Sequence, residues 1–313
     1  MIINYTATRK DSSNTLKDIL KNKLFISNIL LKKLKYTNSV FLNERSVYLN
    51  YPVKENDVIK IDFDNMNNII FNDKTNVYYK PKFLDKYEKF NLKLDILYED
   101  EYLLILNKPY NMPIHPSCDN YTNTLSNAVA TYLEKQNIYA VHIITRLDKN
   151  TSGVCIFAKN EYIQELFIRN KERINLKKEY IAIADGIISK KSDIITKKIA
   201  RKTNSIIVRE INENGDYAKT EYSLLKVNID SNYSVVKVLL HTGRTHQIRV
   251  HFASVGHVLL GDDLYAKEYN VKNITKYIDR QALHAYKISF IHPITGRYIK
   301  ICAPLPEDLK KLI

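Results

Sequence analysis

The sequence predicts an α+β protein with a large mixed, mainly antiparallel sheet domain over residues 92–313, preceded by a small α/β domain over 1–70 and a linker over 71–91. Two short helical patterns followed by two strand patterns indicate the first domain. A polar stretch rich in Asn, Lys and Tyr separates it from the rest. Beyond that stretch, strand patterns follow one another without regular crossover helices, which favours an antiparallel sheet over a doubly wound one.

The first helix of the small domain is predicted from its apolar face and its capping residue. Leu16, Ile19 and Leu20 recur at helical spacing, and Ser13 or Asn14 precedes them as a candidate N-cap. These signals predict a short amphipathic helix that packs against the rest of the domain.

The second helix of the small domain carries a lysine cluster. Ser27 is its candidate cap, and the cluster of Lys32, Lys33 and Lys35 is predicted to point mostly outward. Helix-borne lysines supply sequence-independent affinity for phosphates, although the same spacing also fits a solvated helix face. Two strands should follow at 46–49 and 58–63, the latter with clear alternation.

The large domain is predicted from a series of shorter patterns. In chain order they are two strands within 95–106, a helix from Thr124 to about Lys135, a strand over 154–158, a helix capped by Asn160, and strands over 178–186, 222–225 and 233–240. No internal repeat is visible.

Charge and composition limit the class of partner. The formal net charge is +14, which favours a polyanion, nucleic acid before membrane, although the composition typical of an AT-rich genome accounts for part of this excess. The chain lacks an apolar run of about 18 residues and a signal-peptide h-region. Its three cysteines form no CxxC pair. We therefore expect a cytoplasmic protein without membrane association, disulfides or zinc.

One short segment places a carboxylate next to a cation. Arg146 and Asp148 are two residues apart, a polar Thr-Ser-Gly turn follows, and the apolar run 154–158 reads as a buried strand. Catalytic side chains are often displayed in turns at the edge of a sheet. Asp148 is therefore the first candidate for a catalytic residue.

A second segment, residues 241–257, combines arginines and histidines. A turn at Gly243 leads into a helical pattern, where Arg244 and Arg249 suit the binding of phosphate or carboxylate. Arg249 lies one position from the buried stripe and can reach inward to a carboxylate. The histidines of this segment are five, five and six residues apart, which does not match a helical zinc site, so we expect no metal. His246 is predicted to form structural hydrogen bonds or to contact a ligand.

Three strings in the large domain resemble the RluA-type family of RNA pseudouridine synthases. They are RLDKNTSGVCIFAK (146–159), the strand KEYIAIADG (178–186) and TGRTHQIRVH (242–251), within a similarity that spans roughly residues 93–303. The resemblance implies the fold of that family and the isomerisation of uridine to pseudouridine in RNA. It implies no cofactor, because the reaction neither changes the redox state nor transfers a group.

The resemblance also assigns roles to individual residues. It implies that Asp148 is the essential catalytic carboxylate, that Arg249 pairs with it, and that Tyr180 lies against the target uracil. Arg146 corresponds to an arginine that braces the flipped nucleotide. Two departures stand out: Thr145 replaces the usual His before Arg-Leu-Asp, and 111–113 reads Asn-Met-Pro where the family carries a Gly.

The small domain resembles the RNA-binding module named after ribosomal protein S-four. Its usual Gly-Asp before the last strand is Asn56-Asp57 here, and no Asn-Gly turn is obvious. The lysine cluster would be its phosphate-facing surface, and Arg244 and His246 would add RNA contacts in the large domain. The expected partner is RNA, ribosomal RNA first with transfer RNA open, and the protein is expected to act as a monomer.

Two alternatives remain at this point. A non-catalytic RNA-binding or ribosome-assembly protein could retain the fold. A hydrolase acting on nucleosides or glycosides would need a second carboxylate, for which Asp262 and Asp263 are available. Within the enzyme hypothesis, Asp148 could act as a nucleophile or as a base.

Overall fold

A computed structural model provides the structure of the protein. It describes residues 1–64, 70–72, 77–79, 89–116, 122–138, 140–271 and 274–313. Most of the predicted linker lies outside these residues, as does Cys118.

The described residues contain eight α-helices and eighteen β-strands. The helices are α1 (Leu16–Asn22), α2 (Asn28–Tyr36), α3 (Leu125–Glu134), α4 (Glu161–Arg169), α5 (Lys171–Ile174), α6 (Gln247–Ala253), α7 (Asp263–Glu268) and α8 (Glu307–Lys310). The strands are β1 (Ile2–Thr6), β2 (Val40–Leu42), β3 (Arg45–Ser46), β4 (Val58–Asp62), β5 (Ile70–Asn72), β6 (Val77–Tyr79), β7 (Ile96–Glu99), β8 (Leu103–Lys108), β9 (His142–Ile143), β10 (Ser152–Ala158), β11 (Lys177–Asp185), β12 (Ser192–Thr196), β13 (Ile199–Arg201), β14 (Arg209–Ile211), β15 (Lys219–Asn228), β16 (Tyr233–Leu240), β17 (Leu283–Ile291) and β18 (Tyr298–Cys302). None of the described helices has the length and apolar character that crossing a membrane requires.

The N-terminal unit packs α1 and α2 against a four-stranded sheet in the order β1-β4-β2-β3. Strand β1, which the sequence analysis did not predict, pairs with β4 along its whole length. Thr15, not Ser13 or Asn14, caps α1 and forms a reciprocal capping box with Asp18. Ser27 caps α2 as predicted.

The large sheet has ten strands, with β12-β15-β16-β11-β17-β10-β8-β7 as its main path, β18 beside β17 and β9 beside β10. Only the short β10–β17 ladder is parallel among the described pairings of this sheet; the others are antiparallel. This confirms the predicted fold class. Strand β10 is buried on both faces: Val154 and Ile156 face the core that contains α4, while Cys155 and Phe157 face α3. That double burial explains its uninterrupted apolar run.

The N-terminal unit and the large sheet domain share one hydrophobic core through α4. Phe63 stacks on Tyr162 with ring centroids 4.7 Å apart, and the Glu165 carboxylate accepts a hydrogen bond of 2.9 Å from the backbone N–H of Ser27. Lys33 is 9% exposed and forms an ion pair with Glu161. Lys33 therefore does not point outward, contrary to the prediction. Its ammonium group pairs with Glu161 on α4 of the same chain and does not face phosphates.

Asparagine takes the place of glycine in many tight turns of this glycine-poor chain. Nine of the twelve non-glycine residues with positive φ among the described positions are asparagines, the non-glycine type that best tolerates this backbone region. Asn56 stands where the S-four-like module carries glycine, and Asn111 belongs to the segment 111–113, where the synthase family carries one. Their φ angles are 69° and 56°. Asn43 and Glu44, also at positive φ, form the turn between β2 and β3. Asn56 and Asn111 therefore adopt the positive φ that a glycine would allow at these turns.

Candidate active site

A cavity of about 420 Å³ lies where the turn before β10, the strand β11 and the loop before α6 meet. Its lining residues come from these three segments and a few neighbours: His115, Ile144, Thr145, Arg146, Leu147, Asp148, Thr151, Leu176, Lys178, Tyr180, Leu240, Gly243, Arg244, Thr245, His246, Gln247, Ile248, Arg249 and Leu283. Its volume is within the range typical of small-molecule and cofactor sites. Asp148 is the only carboxylate in this described lining.

The turn that carries Asp148 is held from two sides. Gly153 has a φ of 111°, and a Cβ there would lie 2.2 Å from the carbonyl oxygen of Ala285 on β17, so glycine is required. Thr145, the residue that replaces the family His, accepts a hydrogen bond of 2.9 Å from the backbone N–H of Ile156 on β10. The side chain of Asp148 is 25% exposed and open to the cavity.

A buried lysine, to which the sequence analysis gave no role, also supports this turn. The ammonium group of Lys108 is fully buried and donates to the carbonyl oxygens of Pro109 (2.8 Å), Met112 (2.8 Å) and Lys149 (3.0 Å). Burial lowers the pKa of Lys108 to about 8. In the sequence, its signal is a lysine that directly precedes a proline at the end of the apolar run 103–106.

Arg249 connects two carboxylates. Its Nη1 lies 3.2 Å from Oδ2 of Asp148, as expected, while Nε and Nη2 donate to Asp262 at 2.7 and 2.8 Å. Burial alone would lower the pKa of Arg249, but the hydrogen bonds and charge of Asp262 raise it. Asp262 also caps α7. Because these interactions bind it to Arg249 and α7, Asp262 is not the second acid or base that a hydrolase would need.

Tyr180 on β11 lines the same cavity and is only 7% exposed. Burial and the nearby charge of Asp148 raise the pKa of its hydroxyl above the ordinary value. The phenol is therefore neutral at physiological pH. Asp148, Tyr180 and Arg249, separated in sequence, meet at one cavity.

His246 links the cavity to the structure behind it. Its Nε2 lies 3.9 Å from Asp148, and its Nδ1 lies 2.9 Å from the hydroxyl of Tyr265. Burial lowers the pKa of His246, although the charge of Asp148 acts in the opposite direction. Because the imidazole of His246 is neutral, the cation that balances the charge of Asp148 is Arg249.

The remaining candidates lie at the rim or elsewhere. Arg146 and Arg244 are exposed at the rim of the cavity, and Arg244 forms an ion pair of 3.3 Å with Asp216. Lys32 and Lys35 are exposed and line a separate cavity of about 1010 Å³ in the N-terminal unit, together with Tyr48. Among the described residues, no group of three or more His, Cys, Asp or Glu side chains is arranged to hold a metal ion.

Comparisons with known proteins identify the family of this chain. A family described as RNA pseudouridylate synthase matches residues 102–254. An RNA pseudouridine synthase of Bacillus subtilis, YhcT, is 34% identical over 304 residues, covering 97% of this chain and 93% of the relative. Ribosomal large subunit pseudouridine synthase D of Haemophilus influenzae is 33% identical over 237 residues, covering 73% of this chain and 72% of the relative.

Among solved structures, human RNA pseudouridylate synthase domain containing 4 has a similar fold. The TM-score is 0.53 at 23% identity, and the match covers 69% of this chain and 90% of the human one. Together with the sequence relatives, these findings establish that the chain belongs to the RNA pseudouridine synthase family and is an enzyme of that class.

Proposed function

We propose that this enzyme isomerises uridine to pseudouridine in large-subunit ribosomal RNA, with Asp148 as the catalytic carboxylate. The observation that carries the proposal is that Asp148 is the one carboxylate lining the described cavity and is paired there with Arg249. The name of the Haemophilus influenzae relative supports ribosomal RNA as the substrate.

The reaction breaks the N-glycosidic bond of uridine, turns the uracil and joins its C5 to the ribose. The C5 proton leaves and N1 gains a proton, so the product is an isomer and no external group is consumed. The target nucleotide must first leave its stack for its ribose to reach Asp148. Arg146 and Arg244 at the rim are suited to the RNA backbone around a flipped nucleotide.

Each side chain in the cavity has a distinct task in this proposal. Arg249 places an opposite charge 3.2 Å from the Asp148 carboxylate and orients it, whether the carboxylate acts as nucleophile or as base at the ribose. The ring of Tyr180 stacks on the uracil, and its neutral hydroxyl takes up the C5 proton as it passes its own proton to Asp148, the carboxylate that lines the same cavity. His246 orients the site through its contacts with Asp148 and Tyr265.

We also propose that residues 1–70 form an RNA-binding domain and 92–313 the catalytic domain. Lys32, Lys35 and the exposed Tyr48 line one cavity of the N-terminal unit, which supports contact with phosphates and an unpaired base. The shared core around α4 fixes this surface relative to the active site. The N-terminal unit would thus orient the RNA as well as increase its affinity.

Mapping pseudouridine at nucleotide resolution tests the function. Total RNA is compared from cells with the wild-type gene, with Asp148→Asn, and without the gene. We expect at least one site in large-subunit ribosomal RNA that is present only with the wild type. A gene-dependent pseudouridine that persists with Asp148→Asn would overturn the role of Asp148. If the gene-dependent pseudouridines occurred only in transfer RNA, the proposal of ribosomal RNA as the substrate would be wrong.

A further inference from the structure

The cavity contains a lysine that the reaction described above does not use. Lys178 lies on β11 two residues before Tyr180, and both side chains line the cavity. Residues two apart on a strand share a face and lie about 7 Å from each other. The side chain of Lys178 therefore points to the same space as the aromatic ring that we place against the uracil.

None of the described acidic side chains neutralises this lysine. Among the described residues, no carboxylate lies within ion-pair distance of its ammonium group, and its neighbour on the strand, Glu179, pairs instead with Lys287 at 2.5 Å. Burial and then the nearby charge of Lys171 lower the pKa of Lys178. A partly buried cation with a like charge beside it is unfavourable in the free protein and becomes favourable when an anion binds.

The ammonium group of Lys178 lies close to the opposite wall of the cavity. A Cβ added to Gly243 would lie 3.1 Å from Nζ of Lys178, so the ammonium group lies directly over the glycine backbone. An alanine at this position would shift it by a few tenths of an ångström. Gly243 belongs to the loop that also carries Arg244, so two cations line this cavity.

We propose that Lys178 is a phosphate-binding subsite of the active site, which holds a backbone phosphate next to the target uridine. The subsite rests on the proposed function, because it takes the nucleotide in the cavity to be the flipped uridine. The flanking phosphates are the anionic groups nearest to that uracil and ribose. Asp148 and Tyr180 would then act on the nucleoside while Lys178 fixes the backbone that enters the cavity.

A chemical double-mutant cycle tests the subsite. The RNA probe is the fragment that contains the uridine identified by the pseudouridine mapping, with the phosphate on its 5′ or 3′ side replaced singly by an uncharged methylphosphonate. Binding is measured with Asp148→Asn as background, with and without Lys178→Met. We expect Lys178→Met to weaken binding of unmodified RNA on the order of tenfold. At one of the two positions, the methylphosphonate should weaken binding of the background protein but not of the Lys178→Met variant.

Three further measurements separate this role from a structural one. The slope of log K against log salt should decrease in magnitude by about 0.7 with Lys178→Met, the value for one contact to a single strand. Lys300→Met, an exposed lysine on β18, is the matched control. Gly243→Ala retains the charge and shifts the ammonium group by a few tenths of an ångström, so it should weaken binding less than Lys178→Met does, with an unchanged Tm. In the otherwise wild-type enzyme, Lys178→Met should raise KM more than it lowers kcat, with partial rescue by Lys178→Arg.

Additive effects of Lys178→Met and both methylphosphonates would overturn the subsite. This outcome differs from failure of the proposed function, which would appear as absence of pseudouridine when the wild-type enzyme is incubated with the same unmodified RNA.

Discussion

Arg249 is bound more closely to Asp262 than to Asp148. Two donors of its guanidinium group reach Asp262 at 2.7 and 2.8 Å, and one reaches Asp148 at 3.2 Å. A bidentate pair fixes the plane of a guanidinium group. Asp262 therefore determines where Arg249 presents its third nitrogen to Asp148, the proposed catalytic carboxylate, and we expect Asp262 to act as a positioning residue.

The first prediction concerns this positioning. Asp262→Asn should lower kcat roughly a hundredfold with little change in RNA affinity, because Arg249 loses its fixed orientation. It should also lower the free energy of unfolding by about 3 kcal/mol, since a buried ion pair is broken. Single-turnover kinetics and urea unfolding measure both. Asp263→Asn, at the adjacent exposed position, is the control and should change neither; equal effects of the two variants would contradict the assignment.

A second prediction separates the ring of Tyr180 from its hydroxyl. Tyr180→Phe keeps the stacking surface and should leave RNA affinity unchanged, while the rate of isomerisation falls about a hundredfold or more through loss of the proton acceptor. Because the pKa of Tyr180 is raised, its ionisation should add no rising limb to the wild-type rate between pH 6 and about 9. Tyr222→Phe, on a buried tyrosine of β15 outside the cavity lining, is the control. An unaltered rate in Tyr180→Phe would rule out a chemical role for the hydroxyl.

A third prediction compares lysines of one helix. The double variant Lys32→Ala, Lys35→Ala should weaken RNA binding and reduce its salt dependence without lowering Tm, because both residues are exposed. Lys33→Ala should do the reverse: Tm falls because Glu161 loses its partner at the contact with α4, and the salt dependence stays the same. Filter binding at several salt concentrations and thermal unfolding distinguish the two. A salt slope changed mainly by Lys33→Ala would show that this lysine leaves Glu161 to bind RNA.

A fourth prediction concerns pH and stability. His284 is buried, and its Nδ1 lies 2.9 Å from the hydroxyl oxygen of Ser152. Burial is the main cause that lowers the pKa of His284 to about 4. Because the unfolded chain binds the proton first, the contribution of His284 is complete above about pH 6.5 and is lost as the pH falls toward 4. The loss amounts to about 3 kcal/mol. His246 and His251, whose pKa values are also lowered, act in the same direction.

Urea unfolding at pH 7, 6 and 5 tests this contribution. We expect His284→Gln to be less stable than the wild type at pH 7 but to lose less stability between pH 7 and 5. A variant with the same pH dependence as the wild type would assign the acid sensitivity to other groups.

Local sequence patterns predicted many of the elements but missed several strands. The pattern over 233–240 matches β16, and Thr124 and Asn160 cap α3 and α4 as expected. Strands β1, β12 and β18 were missed. Their burial alternates between exposed and partly or fully buried, so none of them carries a continuous apolar run. Such strands are stabilised by their place in the sheet more than by their own composition.

The sequence alone determined the local setting of each candidate side chain. It placed a carboxylate in a turn before a buried strand, a tyrosine on a strand, and an arginine beside the buried face of a helix. The tertiary structure decided which of these groups meet. Asp148 and Arg249 are 101 residues apart, and the preference of Arg249 for Asp262 and of Lys33 for Glu161 depends on how helices and strands pack. Periodicity reports which face of an element is buried, whereas the partner of a buried charge is chosen by the distances and the desolvation that only the assembled core imposes.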